Sequence, residues 1–225
     1  MNPETKLAEK RRVILVEDHP MFREQLSQLI NKETDMCVCG EADNIGDALK
    51  LLQSISADIV IVDLTLKGPS GLELLKDLKA LQINVPVLVL SMHDELLYAE
   101  RVLRAGARGY ITKHETSNEV MAAIRKVLNG QVYLGSGMAS RVLESFSTRP
   151  KTEKGVSLLT DRELEIFELI GRGRTSREIS GCLHLGMSTV DTYRARIKAK
   201  LNLENASQLY HEAISWVSAG QKASV

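Results

Sequence analysis

The sequence lacks most of the features that narrow a protein's class at a glance. Its 225 residues include three cysteines, five prolines, one tryptophan and 4% aromatic residues. Cys37, Cys39 and Cys182 form no staple pattern, so a disulfide-held fold is excluded and the three read as free thiols in a reducing compartment. A zinc site at Cys37 and Cys39 would need further ligands close by in space. No apolar run approaches the roughly 18 residues of a membrane span. The charged opening MNPETKLAEKRR has no apolar block behind it, unlike a signal peptide. A cytoplasmic protein without a membrane partner is expected.

Net charge is also missing, because 29 acidic residues balance 29 basic ones. Dividing the chain shows where charge is concentrated. Residues 1–149 hold 20 acids and 18 bases, and residues 150–225 hold 9 acids and 11 bases. Between Arg172 and Leu201, however, Arg172, Arg174, Arg177, Arg194, Arg196, Lys198 and Lys200 face only Glu178 and Asp191. A local basic run of this kind attracts a phosphate backbone without making the whole protein basic.

What is present is a change of periodicity. Up to residue 130, short β-branched runs (Val13–Val16, Met36–Cys39, Ile59–Val62, Val87–Leu90, Gly109–Ile111) alternate with amphipathic stretches at residues 20–31, 44–55, 71–81, 95–105 and 117–128. This alternation predicts an α/β fold, a five-stranded parallel (βα)5 sandwich with helices on both faces. The runs IVIV and VLVL have no polar side and belong at the centre of the sheet. Gly106 and Gly130 fit helix C-caps. Residues 136–145 are expected to form a short helix, and the polar stretch 147–155, with Pro150 and Gly155, a linker. From Leu159 onward only helical periodicity remains: helices at 161–171, 175–183, 188–201 and 205–217, with Thr160 and Glu163 forming a capping box and a turn at 184–187. The expected division is therefore 12–130, a connecting 131–156, and an all-α four-helix domain at 157–220.

In a parallel α/β sheet, reactive groups collect beyond the carboxyl ends of the strands. Glu17 and Asp18 follow the first run, Asp63 ends the third, Ser91 ends the fourth and Lys113 lies just past the fifth. Three carboxylates at one rim repel one another and call for a cation; an oxygen-rich set of this kind suits Mg²⁺. Asp63 leaves the most apolar strand, and an aspartate can attack phosphorus to form an acyl phosphate. Lys113 would neutralise a phosphoryl oxygen and Ser91 would donate to another. The paired aspartates of a small phosphatase are missing, since Thr65 stands two residues after Asp63, so a phosphoacceptor is expected rather than a turnover enzyme.

In the helical half, Val190, Ile197 and Leu201 form one stripe of the third helix. Ser188, Thr192, Ala195, Arg196 and Ala199 lie opposite, flanked by Arg194 and Lys200. Small polar residues toward the bases and cations toward the phosphates suit a helix entering a major groove, with 175–183 as the scaffold of a helix-turn-helix. A dimerisation or docking bundle with a basic face fits the same periodicity.

The motifs VILVEDHP, IVIVDLTLKGPSG, VLVLSMHDE and GARGYITK resemble, in order, those of the receiver domain of bacterial response regulators. The resemblance implies Mg²⁺ held by the side chains of Glu17, Asp18 and Asp63 and by the Thr65 carbonyl, with Asp63 as acceptor. It further implies Ser91 and Tyr110 as switch residues and a sensor histidine kinase as partner. Lys67 and Met92 depart from the common pattern and bear on phosphate lifetime.

The stretch LTDRELEIFELIGRGRTSREISGCLHLGMSTVDTYRARIKAKLNLENASQL resembles the LuxR-type DNA-binding domain, and the whole chain a NarL/FixJ-type regulator. That resemblance implies double-stranded promoter DNA as partner. Asp191, Thr192 and Ala195 would lie at base edges, with Ser188 on the same face, and Arg174, Arg177, Arg194, Arg196, Lys198 and Lys200 at phosphates. It also implies a homodimer formed through Leu209, Ala213, Ile214 and Val217, although that stripe equally suits the domain core. A regulator that works without phosphorylation, and an adaptor whose helical domain binds protein, are the competing readings.

Overall fold

The computed structural model describes residues 10–66, 69–92, 96–135, 138–139, 142 and 155–222. The expected helix at 136–145 and the linker at 147–155 fall almost wholly outside them, as do Lys67 and Glu95. The chain divides into two compact units. Among the described residues no helix is long and apolar enough to cross a membrane.

The first unit is a parallel sheet in the order β2-β1-β3-β4-β5-β6. Its strands are β1 (Arg11–Val16), β2 (Met36–Ala42), β3 (Ile59–Asp63), β4 (Val87–Ser91), β5 (Gly109–Thr112) and β6 (Tyr133–Leu134). Helices α1 (Pro20–Asn31), α2 (Ile45–Ser54), α3 (Gly71–Ala80), α4 (Leu96–Ala105) and α5 (Ser117–Leu128) connect them. Every residue of β3 and β4 is buried, as their uniformly apolar sequence requires for strands covered on both faces. Asn44, Ser70 and Thr116 cap α2, α3 and α5 by accepting from backbone amides of the first turn.

Two features depart from the periodicity. β2 runs three residues past Cys39, because the register with β1 slips there: Val13 pairs with Val38 and Ile14 with Gly40. The bulge at Cys39 interrupts the alternation that marks a strand in sequence. A sixth strand is added where five were expected. Gly130, at φ 77, ends α5 in the left-handed region. The chain then returns to β5, with the Tyr133 amide donating to the Arg108 carbonyl at 3.0 Å and the Gly135 amide to that of Tyr110 at 3.2 Å. Two residues are too few to carry a period.

The second unit contains a 3₁₀ turn at Gly155–Leu158 and helices α6 (Asp161–Gly171), α7 (Ser176–Leu183), α8 (Met187–Leu201) and α9 (Ala206–Lys222). Capping boxes at Thr160–Glu163 and Thr175–Glu178 start α6 and α7. His184 and Asn202, in left-handed conformation, end α7 and α8. Leu164, Phe167, Ile170, Ile179, Leu183, Val190, Ile197, Leu209, Ala213 and Val217 form the apolar interior. Glu163, Glu165 and Glu168 of α6 are also buried, and each meets a base: Lys200, Arg162 and Arg172 respectively.

The last residue of α6 has no side chain for a packing reason. A Cβ on Gly171 would lie 2.4 Å from the Ala213 carbonyl oxygen and 2.7 Å from Val217 Cγ2, so α6 and α9 nearly touch backbone to backbone. Gly171→Ala is expected to destabilise the helical unit by about 1–3 kcal/mol, the usual range for overpacking. Trp216, the only tryptophan and 5.9 Å from the Phe167 ring, reports on this unit alone. Urea unfolding followed by its fluorescence should show an earlier midpoint; an unchanged one would mean that the helices can separate at no cost.

Candidate phosphoacceptor site and nucleic-acid interface

Strand register builds the first site. Val16 pairs with Val62, Val62 with Val89, and Leu90 with Ile111. The residues that follow these rungs, Glu17, Asp63, Ser91 and Thr112, therefore emerge together at one rim, with Asp18 and Lys113 one step beyond. Glu17, Asp18, Asp63 and Ser91 are all buried. The Lys113 Nζ donates to Glu17 Oε2 at 2.6 Å and to Asp63 Oδ2 at 2.8 Å, and lies 4.5 Å from the centre of the Phe22 ring. The Thr65 amide donates to Asp63 Oδ1 at 3.1 Å. Tyr110 is buried in β5.

Burial, and then the Glu17 charge, push the Asp63 carboxyl up to about 6, with Lys113 and the Thr65 amide pulling the other way. Lys113 alone cannot offset three acids held this close. The donor set fits a divalent cation, since ligand atoms of Glu17, Asp18, His19 and Asp63 all lie within 4.8 Å of one another.

His19 was not singled out in the sequence, yet its Nδ1 lies 2.9 Å from both Glu17 Oε1 and Asp18 Oδ1. Its place directly after the acidic pair was the available signal. Arg23, one turn into α1, donates to the Glu17 carbonyl at 2.6 Å; nothing in the sequence pointed to it. Gly71 has a steric role, because a Cβ there would lie 2.2 Å from the Asp63 carbonyl oxygen. Its amide and the Ser70 hydroxyl both donate to the Leu64 carbonyl, at 2.9 and 3.0 Å. The start of α3 is thereby pinned against the acceptor's own backbone. Met92, beside Ser91, is exposed.

In the helical unit α8 buries Val190 and Ile197 and exposes Ser188, Asp191, Thr192, Ala195, Arg196 and Ala199 on the other side. The Thr192 hydroxyl donates to the Ser188 carbonyl at 2.8 Å; with that proton engaged, the residue can offer its methyl group or an acceptor to a partner. The Arg196 guanidinium lies 5.8 Å from the centre of the Tyr193 ring, and Arg177 is exposed on α7. Lys198 and Arg194 are half-buried.

Lys200 is half-buried. Its Nζ donates to Glu163 Oε2 at 2.6 Å, because a carboxylate buried in the α6 capping box requires a cation. Arg174 is paired with Glu178 at 3.3 Å. On α9, Leu209, Ala213 and Val217 are packed into the domain core, and of the four residues expected to dimerise only Ile214, 49% exposed, faces outward, near Tyr210 at 36%.

Comparison with known proteins covers both units. Residues 13–125 match the response regulator receiver domain, and residues 157–213 match the luxR family of bacterial regulatory proteins. The chain is 35% identical over 202 residues to the response regulator UvrY of Escherichia coli K12, covering 90% of this chain and 93% of that protein. The crystal structure of a LuxR-family two-component response regulator from Aurantimonas sp. SI85-9A1 is 33% identical, with a TM-score of 0.58 over 61% of this chain and 99% of that one. The fold is also similar to that of RcsB from Salmonella enterica serovar Typhimurium bound to promoter P1flhDC with phosphomimetic BeF3- (23% identity, TM-score 0.60, 92% of this chain and 100% of that one). The chain belongs to the two-component response regulators of the NarL/FixJ type, phosphorylation-linked DNA-binding transcriptional regulators with a phosphoacceptor receiver.

Proposed function

We propose that Asp63 is the phosphoacceptor of a receiver spanning residues 12–130, and that its phosphorylation governs promoter binding by the helical domain at 157–220 in the cytoplasm. The observation that carries this reading is the Lys113 ammonium, held between Glu17 and Asp63 at the sheet rim. An Asp63 carboxylate oxygen attacks the phosphorus of a sensor kinase's phosphohistidine. The P–N bond breaks, and the electron pair returns to the imidazole, which takes up a proton. Lys113 exchanges its contact with Asp63 for a phosphoryl oxygen, and the Ser91 hydroxyl donates to another. Mg²⁺ fits this donor set; Glu17, Asp18, Asp63 and the Thr65 carbonyl would hold it, and it would supply charge neutralisation to the phosphoryl oxygens. Ser91 and Tyr110 act as the switch pair.

On the helical domain, Asp191, Thr192 and Ala195, with Ser188, face base edges. Arg177, Arg194, Arg196 and Lys198 meet phosphates, while Lys200 and Arg174 act through the carboxylates they hold. Two copies associate through the exposed side of α9 around Ile214, and two-fold symmetry implies paired half-sites.

Treatment with acetyl phosphate and Mg²⁺ should add one phosphoryl group by intact mass, labile to hydroxylamine. Asp63→Asn should abolish it, and an adduct retained in that variant would identify another nucleophile. A gel shift with and without acetyl phosphate then separates this function from phosphorylation-independent binding.

Because Asp63 titrates near pH 6 in the metal-free protein, it is partly protonated there and ionised about two units higher. Mg²⁺ selects the carboxylate, so its binding should release protons near pH 6 and almost none near pH 8. Its affinity should weaken as the pH falls. Calorimetry in buffers of different ionisation enthalpy measures this; equal release at both values would remove Asp63 from the cation site.

Ile214→Lys should leave the unfolding midpoint nearly unchanged and weaken self-association in sedimentation. Leu209→Ala should lower stability by about 2–5 kcal/mol. Unaltered association of the Ile214 variant would take dimerisation away from α9.

A further inference from the structure

Arg194 stands where three helices of the helical unit meet. Its Nη1 donates to the Ser176 hydroxyl oxygen at 3.0 Å, and its Nη2 donates to the Tyr210 hydroxyl oxygen at 3.0 Å. The guanidinium carbon lies 5.0 Å from the centre of the Tyr210 ring. Ser176 is the first residue of α7, Arg194 lies midway along α8, and Tyr210 is in the second turn of α9. One guanidinium thus gathers the scaffold helix, the recognition helix and the last helix.

Both anchors are neutral. Four other bases of this unit are paired with acids: Arg162 with Glu165, Arg172 with Glu168, Arg174 with Glu178 and Lys200 with Glu163. Asp191, one turn before Arg194 on the same helix, makes no ion pair with it among the described residues. Arg194 is therefore half-buried, fixed in direction and uncompensated in charge. Half-buried bases nearby that serve packing share a carboxylate, as Arg162 and Lys200 do; Arg194 is half-buried and shares none among the described residues. Holding the fork in advance also removes the ordering entropy a flexible side chain would lose on meeting an anion. The start of α7 contributes little anion affinity of its own, because the Glu178 carboxylate already accepts from the Thr175 amide at 2.8 Å.

We propose that Arg194 is a preset clamp for a phosphate of the DNA backbone, and that Ser176 and Tyr210 are positioning residues that hold it. The inference rests on the reading of α8 as a DNA-entering helix and deepens it. The contact fixes how the helical unit sits on the duplex and carries no sequence information. Tyr210 lies outside the recognition helix, so helical periodicity does not connect it with DNA.

Fluorescence anisotropy of the full chain with two labelled duplexes tests this, one of random sequence and one selected from a random pool. Arg194→Ala should weaken both about tenfold, and the slope of log affinity against log salt should flatten by about 1. Tyr210→Phe keeps the ring but removes the hydroxyl; it should weaken both duplexes about threefold and add no further loss to Arg194→Ala. Its Trp216 unfolding midpoint and its sedimentation should match those of the parent. Arg194→Lys should not restore the loss, since one ammonium nitrogen lacks the planar fork whose two separate nitrogens reach the two anchors.

Losses that simply add in the double variant would show that Tyr210 does not act through Arg194. A loss confined to the selected duplex would make Arg194 a base reader, and a Tyr210→Phe defect traced to self-association would make the tyrosine a dimer contact. Each overturns the clamp. Equal binding by Arg194→Ala and the parent removes the clamp but keeps DNA binding, whereas a parent that binds neither duplex removes both.

Discussion

The Lys113 ammonium lies between the Glu17 and Asp63 carboxylates at 2.6 and 2.8 Å, with Asp18 buried beside them. Three acids against one lysine leave a formal surplus of two negative charges at a rim largely closed to water. Like charges at about 4 Å repel by about 4 kcal/mol at an effective dielectric constant of 20, so the arrangement exists only because strand pairing imposes it. Burial first, and then the repulsion from Glu17, raises the Asp63 carboxyl to about 6, and the surplus of acids makes a divalent cation welcome. A carboxylate held this way is primed for a reaction that places further charge at the rim, provided the cation is there to balance it.

Strain at the rim bears directly on the strands that hold it. The Lys113 amide donates to the Ser91 carbonyl at 2.7 Å, and Tyr110, three residues earlier, accepts at its carbonyl from Gly135. β5 therefore carries Tyr110 and leads directly into Lys113, while paired on one side to the strand of Ser91 and on the other to β6. Any displacement of Lys113 would act on a strand tied along both edges, one of them β6, the last strand of the sheet.

The helical unit handles charge differently. Its three buried glutamates on α6 are each met by a base, and that neutralisation holds the helices together from within. The basic run seen in the sequence thus overstates the charge available to a partner. Lys200 and Arg174 are engaged by carboxylates, whereas Arg177, Arg196 and Lys198 have no ion pair among the described residues. Arg194 belongs with these, though it is held by neutral hydroxyls.

Much of the fold and the acceptor site was legible because both depend on local pattern. Uniformly apolar IVIV and VLVL can only be strands covered on both faces, and parallel strands deliver their last residues to one rim. Asp63, Ser91, Lys113 and the Glu17–Asp18 pair followed from that alone. The capping box at Thr160 was readable for the same reason, since partner and cap lie within one turn. What tertiary structure decided were the pairings between distant residues. Which base meets Glu163, which face of α9 is core, where β6 returns and how Arg194 reaches Tyr210 depend on helix crossings and strand register. No period of 2 or 3.6 residues encodes these, because a periodicity tells a residue which way to face but not what it will meet there.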